Sequence, residues 1–204
     1  MTEARMDMTS AQSAVLERPT SQKARVSQMT AQGLMQLPDD GQRYELIKGE
    51  LHVMTPASAR RGRIANTITF LLTQHVRQHN LGVVYAAETG FKLRENPDTV
   101  RAADAAFVAR ERIPPEGEPE GYWTLAPDLV IEVVSPSDSA PAVQSNVMDW
   151  LVAGCRLVWV VYPSTQAVTE YRSLKDVQVL TAKQTLEGGD VLPGFSCQVS
   201  EIFT

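Results

Sequence analysis

Leu129-Val130-Ile131-Glu132-Val133-Val134 is a short β-branched run bounded by Pro127 and by Ser135-Pro136. It reads as a strand buried on both faces. An acid stands in its middle. An ionised carboxylate there costs several kcal/mol, on the order of the penalty for a buried charge, unless a metal ion, a buried cation or a raised pKa compensates it. Two of those three compensations point to a functional site.

Downstream, Pro141 suits the first turn of a helix that runs to about Ala153 and stops at Gly154. Leu157-Val158-Trp159-Val160-Val161 is a second fully apolar strand, and the strand–helix–strand order implies a right-handed crossover between parallel neighbours. A hairpin over Val168–Tyr171 and Val177–Leu180 follows, and Leu192-Pro193-Gly194-Phe195 closes the domain. Upstream, short strands are expected at Val83–Glu88, Gly90–Leu93 and Asp104–Val108. The apolar positions Ile64, Ile68, Leu71, Leu72 and Val76 follow a helical period between Arg63 and His79, with the basic end first. Tyr44–Ile47 and Glu50–Met54 flank Lys48-Gly49 as a two-residue hairpin. Thr30 caps a short helix that ends before Pro38. The fold class is α/β (α+β): a mixed sheet, antiparallel at its start, with one parallel crossover late. Three prolines, two glycines and three glutamates make Ile113–Tyr122 a solvated loop.

At 204 residues the chain suits one domain with an attachment. The Ser-, Thr-, Gln- and Ala-rich start, residues 1–29, reads as a flexible tail without the apolar segment of a secretory signal. The domain then covers 30–204. No apolar run approaches the roughly 20 residues of a membrane span. Cys155 and Cys197 show no paired spacing and suit buried free thiols in a reducing cytoplasm, and no Cys/His cluster suggests zinc. A net charge of −5 argues against a protein that coats nucleic acid non-specifically. It leaves room for a local basic cleft, for which Arg60-Arg61-Gly62-Arg63 is the candidate.

Taken in pairs, the acids narrow the site. Asp128 and Glu132 share a strand face but stand about 13 Å apart at ~3.3 Å per residue, too far to share an ion. Asp128 therefore reads as a strand-entry residue. Asp104 opens a different strand, and a cross-strand Asp/Glu pair is a good seat for Mg²⁺, which takes one or two carboxylates and keeps waters. The residues alone leave this seat open beside a reading of two unrelated structural acids. Glu88, Glu45 and Glu50 are candidates for a further ligand, Glu88 first because it ends a strand. His52, His75 and His79 share no metal motif.

Tyr44-Glu45-Leu46-Ile47-Lys48-Gly49-Glu50-Leu51, Thr55-Pro56, Arg101-Ala102-Ala103-Asp104-Ala105-Ala106-Phe107-Val108, Pro127-Asp128-Leu129-Val130-Ile131-Glu132-Val133-Val134-Ser135-Pro136-Ser137, Ala153-Gly154 and Val158-Trp159 together resemble the Uma2 family. These are restriction-endonuclease-like proteins of the PD-(D/E)XK nuclease fold, a mixed central sheet flanked by helices. The resemblance spans about Thr30 to Phe203. It implies Asp104 as the motif's first acid and Glu132 as its second, both holding Mg²⁺ or Mn²⁺, with DNA as substrate. It also places the motif's lysine on the following helix, at Asn146.

Asparagine carries no charge there, and losing one such electrostatic group typically costs about 10²–10³ in rate. Ala103 stands for the family's usual proline, Ala142 for a usual acid, and Arg61 where histidine is often found. On the expected helix Asn146 lies about 60° to the side of the apolar face, a boundary from which a long side chain reaches the sheet and a short one falls back. Lys92 is a candidate replacement cation. The expected function is thus a metal-dependent DNA endonuclease impaired at Asn146. The alternative is a non-catalytic nucleic-acid- or protein-binding homodimeric module on the same fold, and a third reading is a structural homodimer subunit with Trp123, Trp150 and Trp159 as its surfaces.

Overall fold

The computed structural model describes residues 28–204. The expected tail lies outside the described residues except for Gln28 and Met29, and the Met29 amide already donates to the Gly49 carbonyl at 3.0 Å. A short helix α1 (Ala31–Met35) follows, its Thr30 cap accepting from the Gly33 amide. Strands β1 (Arg43–Ile47) and β2 (Glu50–Met54) form the expected hairpin, with Lys48 and Gly49 both at positive φ.

Helix α2 (Ala59–His79) starts four residues before the expected Arg63, because Ser58 caps the Arg61 amide. Then come β3 (Gly82–Ala86), β4 (Gly90–Arg94), β5 (Thr99–Ala102) and β6 (Ala105–Ala109). The expected strand ending at Glu88 stops at Ala86, since Glu88 turns the chain at positive φ. β7 (Leu129–Val133) leads into α3 (Ala140–Val152), which ends before the positive-φ Gly154, and into β8 (Leu157–Tyr162). The remaining strands are β9 (Ala167–Tyr171), β10 (Val177–Thr181), β11 (Thr185–Glu187) and β12 (Ser196–Gln198).

The antiparallel and mixed parts are separate sheets. One has the order β2-β1-β5-β4, the other β10-β9-β8-β7-β6-β3, and β11 pairs with β12. In the six-stranded sheet only β7 and β8 run parallel, joined through α3 as the strand–helix–strand order requires.

Alternation along β7 divides the interior. Leu129, Ile131 and Val133 pack with Ile64, Ile68, Leu72 and Val76 of α2 on one face. Val130 packs with Val147 and Trp150 of α3, and with Phe91 and Trp123, on the other. A smaller core joins Ala31 and Leu34 of α1 to Leu46 and Val100. Both cysteines are buried free thiols, and burial pushes Cys155 up to about 12. Trp123, Trp150 and Trp159 are all buried. They hold the core and offer no subunit surface. Among the described residues no helix is long and apolar enough to cross a membrane.

Candidate active site

Strand register decides the meeting of the two acids. β6 and β7 are antiparallel with Ala105 opposite Ile131, and one further step sets Asp104 across from Glu132. Residues so opposed lie about 5 Å apart between Cα atoms. The Val133 amide donates to Asp104 Oδ2 at 2.8 Å, tying the two strand ends together. By parity Glu132 shares the α3 face with Val130. There the Trp150 indole Nε1 donates to Glu132 Oε1 at 2.9 Å.

Two arginines enter this cluster. Arg61, in the first turn of α2, donates from Nη2 (2.9 Å) and Nε (3.3 Å) to Asp104 Oδ2. Arg101, on β5, bridges Glu45 Oε2 at 2.9 Å and Asp149 Oδ2 at 2.5 Å. Glu45 Oε1 also accepts from the Ala102 amide at 3.0 Å. Among the described residues Glu132 has no cation of its own. Burial, then the neighbouring Asp104 and Glu45, raise its carboxyl from the ordinary 4.5 to about 8, against the opposing pull of Trp150 and Asn146.

A cavity of about 220 Å³ opens over these groups, its lining including Glu45, Arg61, Arg101, Glu132, Asp138 and Asn146, with His52, Val53 and Met54 of β2 as one wall. A neighbouring cavity of about 230 Å³ is lined by Tyr44, Glu45, Arg61, Glu88 and Asp104.

The other sequence candidates sort themselves by these contacts. Asn146 does reach the cavity that Glu132 lines, so the shorter side chain has not fallen back from the sheet. Its Oδ1 is buried and has no hydrogen-bond partner among the described residues. Glu88 lines the second cavity from an exposed turn and pairs with Arg43 at 3.3 Å. Glu50 is exposed on β2. Lys92 is committed to Glu95 (2.7 Å) and Asp98 (3.8 Å), so it does not supply the missing charge. Arg60 donates to the Pro163 carbonyl, and Arg63 to the carbonyls of Phe203 and Thr204. Of the basic cluster only Arg61 faces the acids. Asp128 is 1% exposed; it accepts from the Ala109 amide and pairs with Arg112, the strand-entry role its spacing from Glu132 implies.

The fold agrees with comparison to known proteins. A family model described as "Uma2: Putative restriction endonuclease" matches residues 31–200. The chain belongs to the Uma2 family. Among solved structures, the Uma2 chain is similar to a protein of Anabaena variabilis ATCC 29413 titled a putative nuclease belonging to DUF820. The TM-score is 0.75 at 20% identity, covering 86% of this chain and 97% of that one. At that identity the likeness speaks for the fold alone. No curated protein matches the chain.

Does this Uma2 chain suit a divalent cation? Asp104, Glu132 and the unpartnered Asn146 Oδ1 are all hard oxygen donors, the kind Mg²⁺ and Mn²⁺ select. Among the described residues no three His, Cys, Asp or Glu side chains converge as a ligand group. Asp104 and Glu132 are the two carboxylates that would hold such an ion, since Glu45 is occupied by Arg101.

Sequence reasoning missed Arg101, Asp149 and Trp150 as site residues. Asp149 and Trp150 had a signal: they stand three and four residues beyond Asn146 and so share its helix face. Arg101 had none without β5, which was not recognised as a strand.

Proposed function

We propose that this Uma2 protein is a metal-dependent endonuclease that hydrolyses phosphodiester bonds of DNA, with Asp104 and Glu132 as the carboxylates that hold Mg²⁺ or Mn²⁺. The observation that carries the reading is the pairing of Asp104 with Glu132 across β6 and β7, where Glu132 lines one cavity and Asp104 its neighbour. Bound there, such an ion would polarise the phosphate and lower the pKa of an attacking water.

The chain's own residues define the rest. Val133 N–H and Trp150 Nε1 aim the two carboxylates, so their orientation does not depend on a ligand. The Glu45–Arg101–Asp149 bridge ties β1 and β5 to α3 beneath the cavity. Glu132 must give up its proton to serve as a carboxylate ligand, and burial beside Asp104 and Glu45 opposes that step in the absence of an ion. Asn146 adds a dipole where the family resemblance expects a full charge, so turnover is slow.

Plasmid and single-stranded DNA cleavage with Mg²⁺ or Mn²⁺, run beside Asp104→Ala and Asn146→Lys, tests this. Cleavage lost in Asp104→Ala is the expected result. Silence in the native chain with cleavage in Asn146→Lys means a disabled site on an intact scaffold. Silence in all three leaves the non-catalytic binding module, a reading favoured by the Arg61–Asp104 ion pair that already neutralises one acid.

A further inference from the structure

Arg61 has an unusual place in the cleft. It lines the cavity over Glu132 and also the cavity beside Asp104; the residues common to both are Glu45, Met54, Arg61 and Ala102. Two of these four are held by the fold: Ala102 belongs to β5, and Glu45 is bound by Arg101 and the Ala102 amide. Arg61 is different. Its guanidinium reaches into the cleft from the start of α2, and the Asp104 oxygen Oδ2 is the one side-chain acceptor it meets among the described residues.

That oxygen belongs to the acid proposed above as a metal ligand. A divalent cation and a guanidinium would compete for it. Once displaced, a guanidinium with five donors and no carboxylate is suited to a phosphate, which it binds in a two-pronged geometry. The other cations in and near the cleft have partners other than the two acids: Arg60 the Pro163 carbonyl, Arg63 the last turn, Arg101 the Glu45 and Asp149 carboxylates, Lys92 Glu95 and Asp98, and Arg43 the exposed Glu88.

We propose that Arg61 is the substrate-phosphate ligand of this cleft, parked on Asp104 until a divalent cation takes that carboxylate. Its departure joins the two cavities into one trench, which admits an extended single strand of nucleic acid. Arg61 then supplies, from α2, the positive charge that Asn146 does not supply from α3. The proposal rests on the metal reading of Asp104 and Glu132.

The test uses the full chain with Arg61→Gln and Arg61→Lys. Mn²⁺ binding is measured by electron paramagnetic resonance of the free ion, and binding of a labelled oligothymidylate by fluorescence anisotropy, with and without Mn²⁺. Arg61→Gln is expected to bind Mn²⁺ about tenfold more tightly and the oligonucleotide about tenfold more weakly, within the usual range of coupling between two sites. In the native chain Mn²⁺ strengthens oligonucleotide binding; in Arg61→Gln that coupling disappears. Arg61→Lys, which keeps the charge but not the two-pronged geometry, is expected to bind the oligonucleotide with an affinity between those of the native chain and Arg61→Gln.

Equal Mn²⁺ affinity in the native chain and Arg61→Gln, or weaker affinity in the variant, overturns the competition. Unchanged oligonucleotide affinity in Arg61→Gln overturns the phosphate role. If neither protein binds Mn²⁺, the metal reading itself fails and the proposal falls with it, a pattern distinct from equal binding. A thermal melt of each variant separates loss of binding from loss of fold.

Discussion

Trp150 donates its indole N–H to Glu132 at 2.9 Å, so the acid in the middle of a β-branched strand rests on an aromatic ring of the following helix. The bond helps explain how a strand otherwise made of apolar residues tolerates a carboxyl group. It also ties the site to the core, because Trp150 is fully buried and packs edge-on against Phe91. Trp150→Phe keeps an aromatic side chain but removes the donor and part of the buried ring system. Chemical denaturation of that variant should show a loss of about 2–4 kcal/mol, the hydrogen bond and the vacated volume together.

Stability should depend on pH through Glu132. Its folded-state pKa of about 8 lies above the ordinary 4.5. Below 4.5 both states hold the proton. Between 4.5 and 8 only the folded state does, so unfolding releases a proton and stability falls as pH rises; above 8 the effect is complete. Glu132→Gln removes this slope. Melting temperatures from pH 5 to 9 should show the variant gaining on the native chain as pH rises, and parallel curves would refute the assignment.

Arg101 joins three elements through two acids, and its side chain is 8% exposed. Arg101→Met leaves Glu45 buried without its partner, for a loss of about 3 kcal/mol, the low end for a broken buried pair because Asp149 is partly exposed. Urea denaturation measures it. Adding Glu45→Gln should recover part of the loss, since the two changes share one interaction.

Asn146→Lys places an ammonium group beside the cavity that Glu132 lines. The added charge favours the carboxylate and moves the Glu132 pKa down from about 8 toward its ordinary range. The pH slope of stability should flatten, and Mn²⁺ should bind at lower pH than it does to the native chain. An unchanged slope would mean the lysine points away from Glu132.

Much of this was legible in the chain. The run Leu129–Val134, the helix before Gly154 and the run Leu157–Val161 specified a strand–helix–strand crossover by local periodicity alone. The acid inside an apolar strand announced the site, because no packing argument accounts for it. Thr30, Ser58 and Ser139 all cap helices through side-chain oxygens, a local signal, yet only Thr30 is read as a cap from the sequence, and the helix expected in place of α2 starts late. β5, β11 and β12 are three or four residues long, too short for their pattern to stand out.

What the sequence determined by itself was whatever depends on neighbours along the chain: the elements, the buried acid, and Asn146 at the position where the resemblance expects a lysine. What only the tertiary structure decided was which charges meet. Glu45, Arg101, Asp104 and Asp149 come from β1, β5, the turn before β6, and α3, and Arg61 arrives from α2. Electrostatic partners are chosen by distance in space, and a side chain's reach is only a few ångströms. That Arg61 rests on Asp104 while Arg60 and Arg63 turn to backbone carbonyls follows from the rotation of one helix against one sheet, which no local pattern encodes.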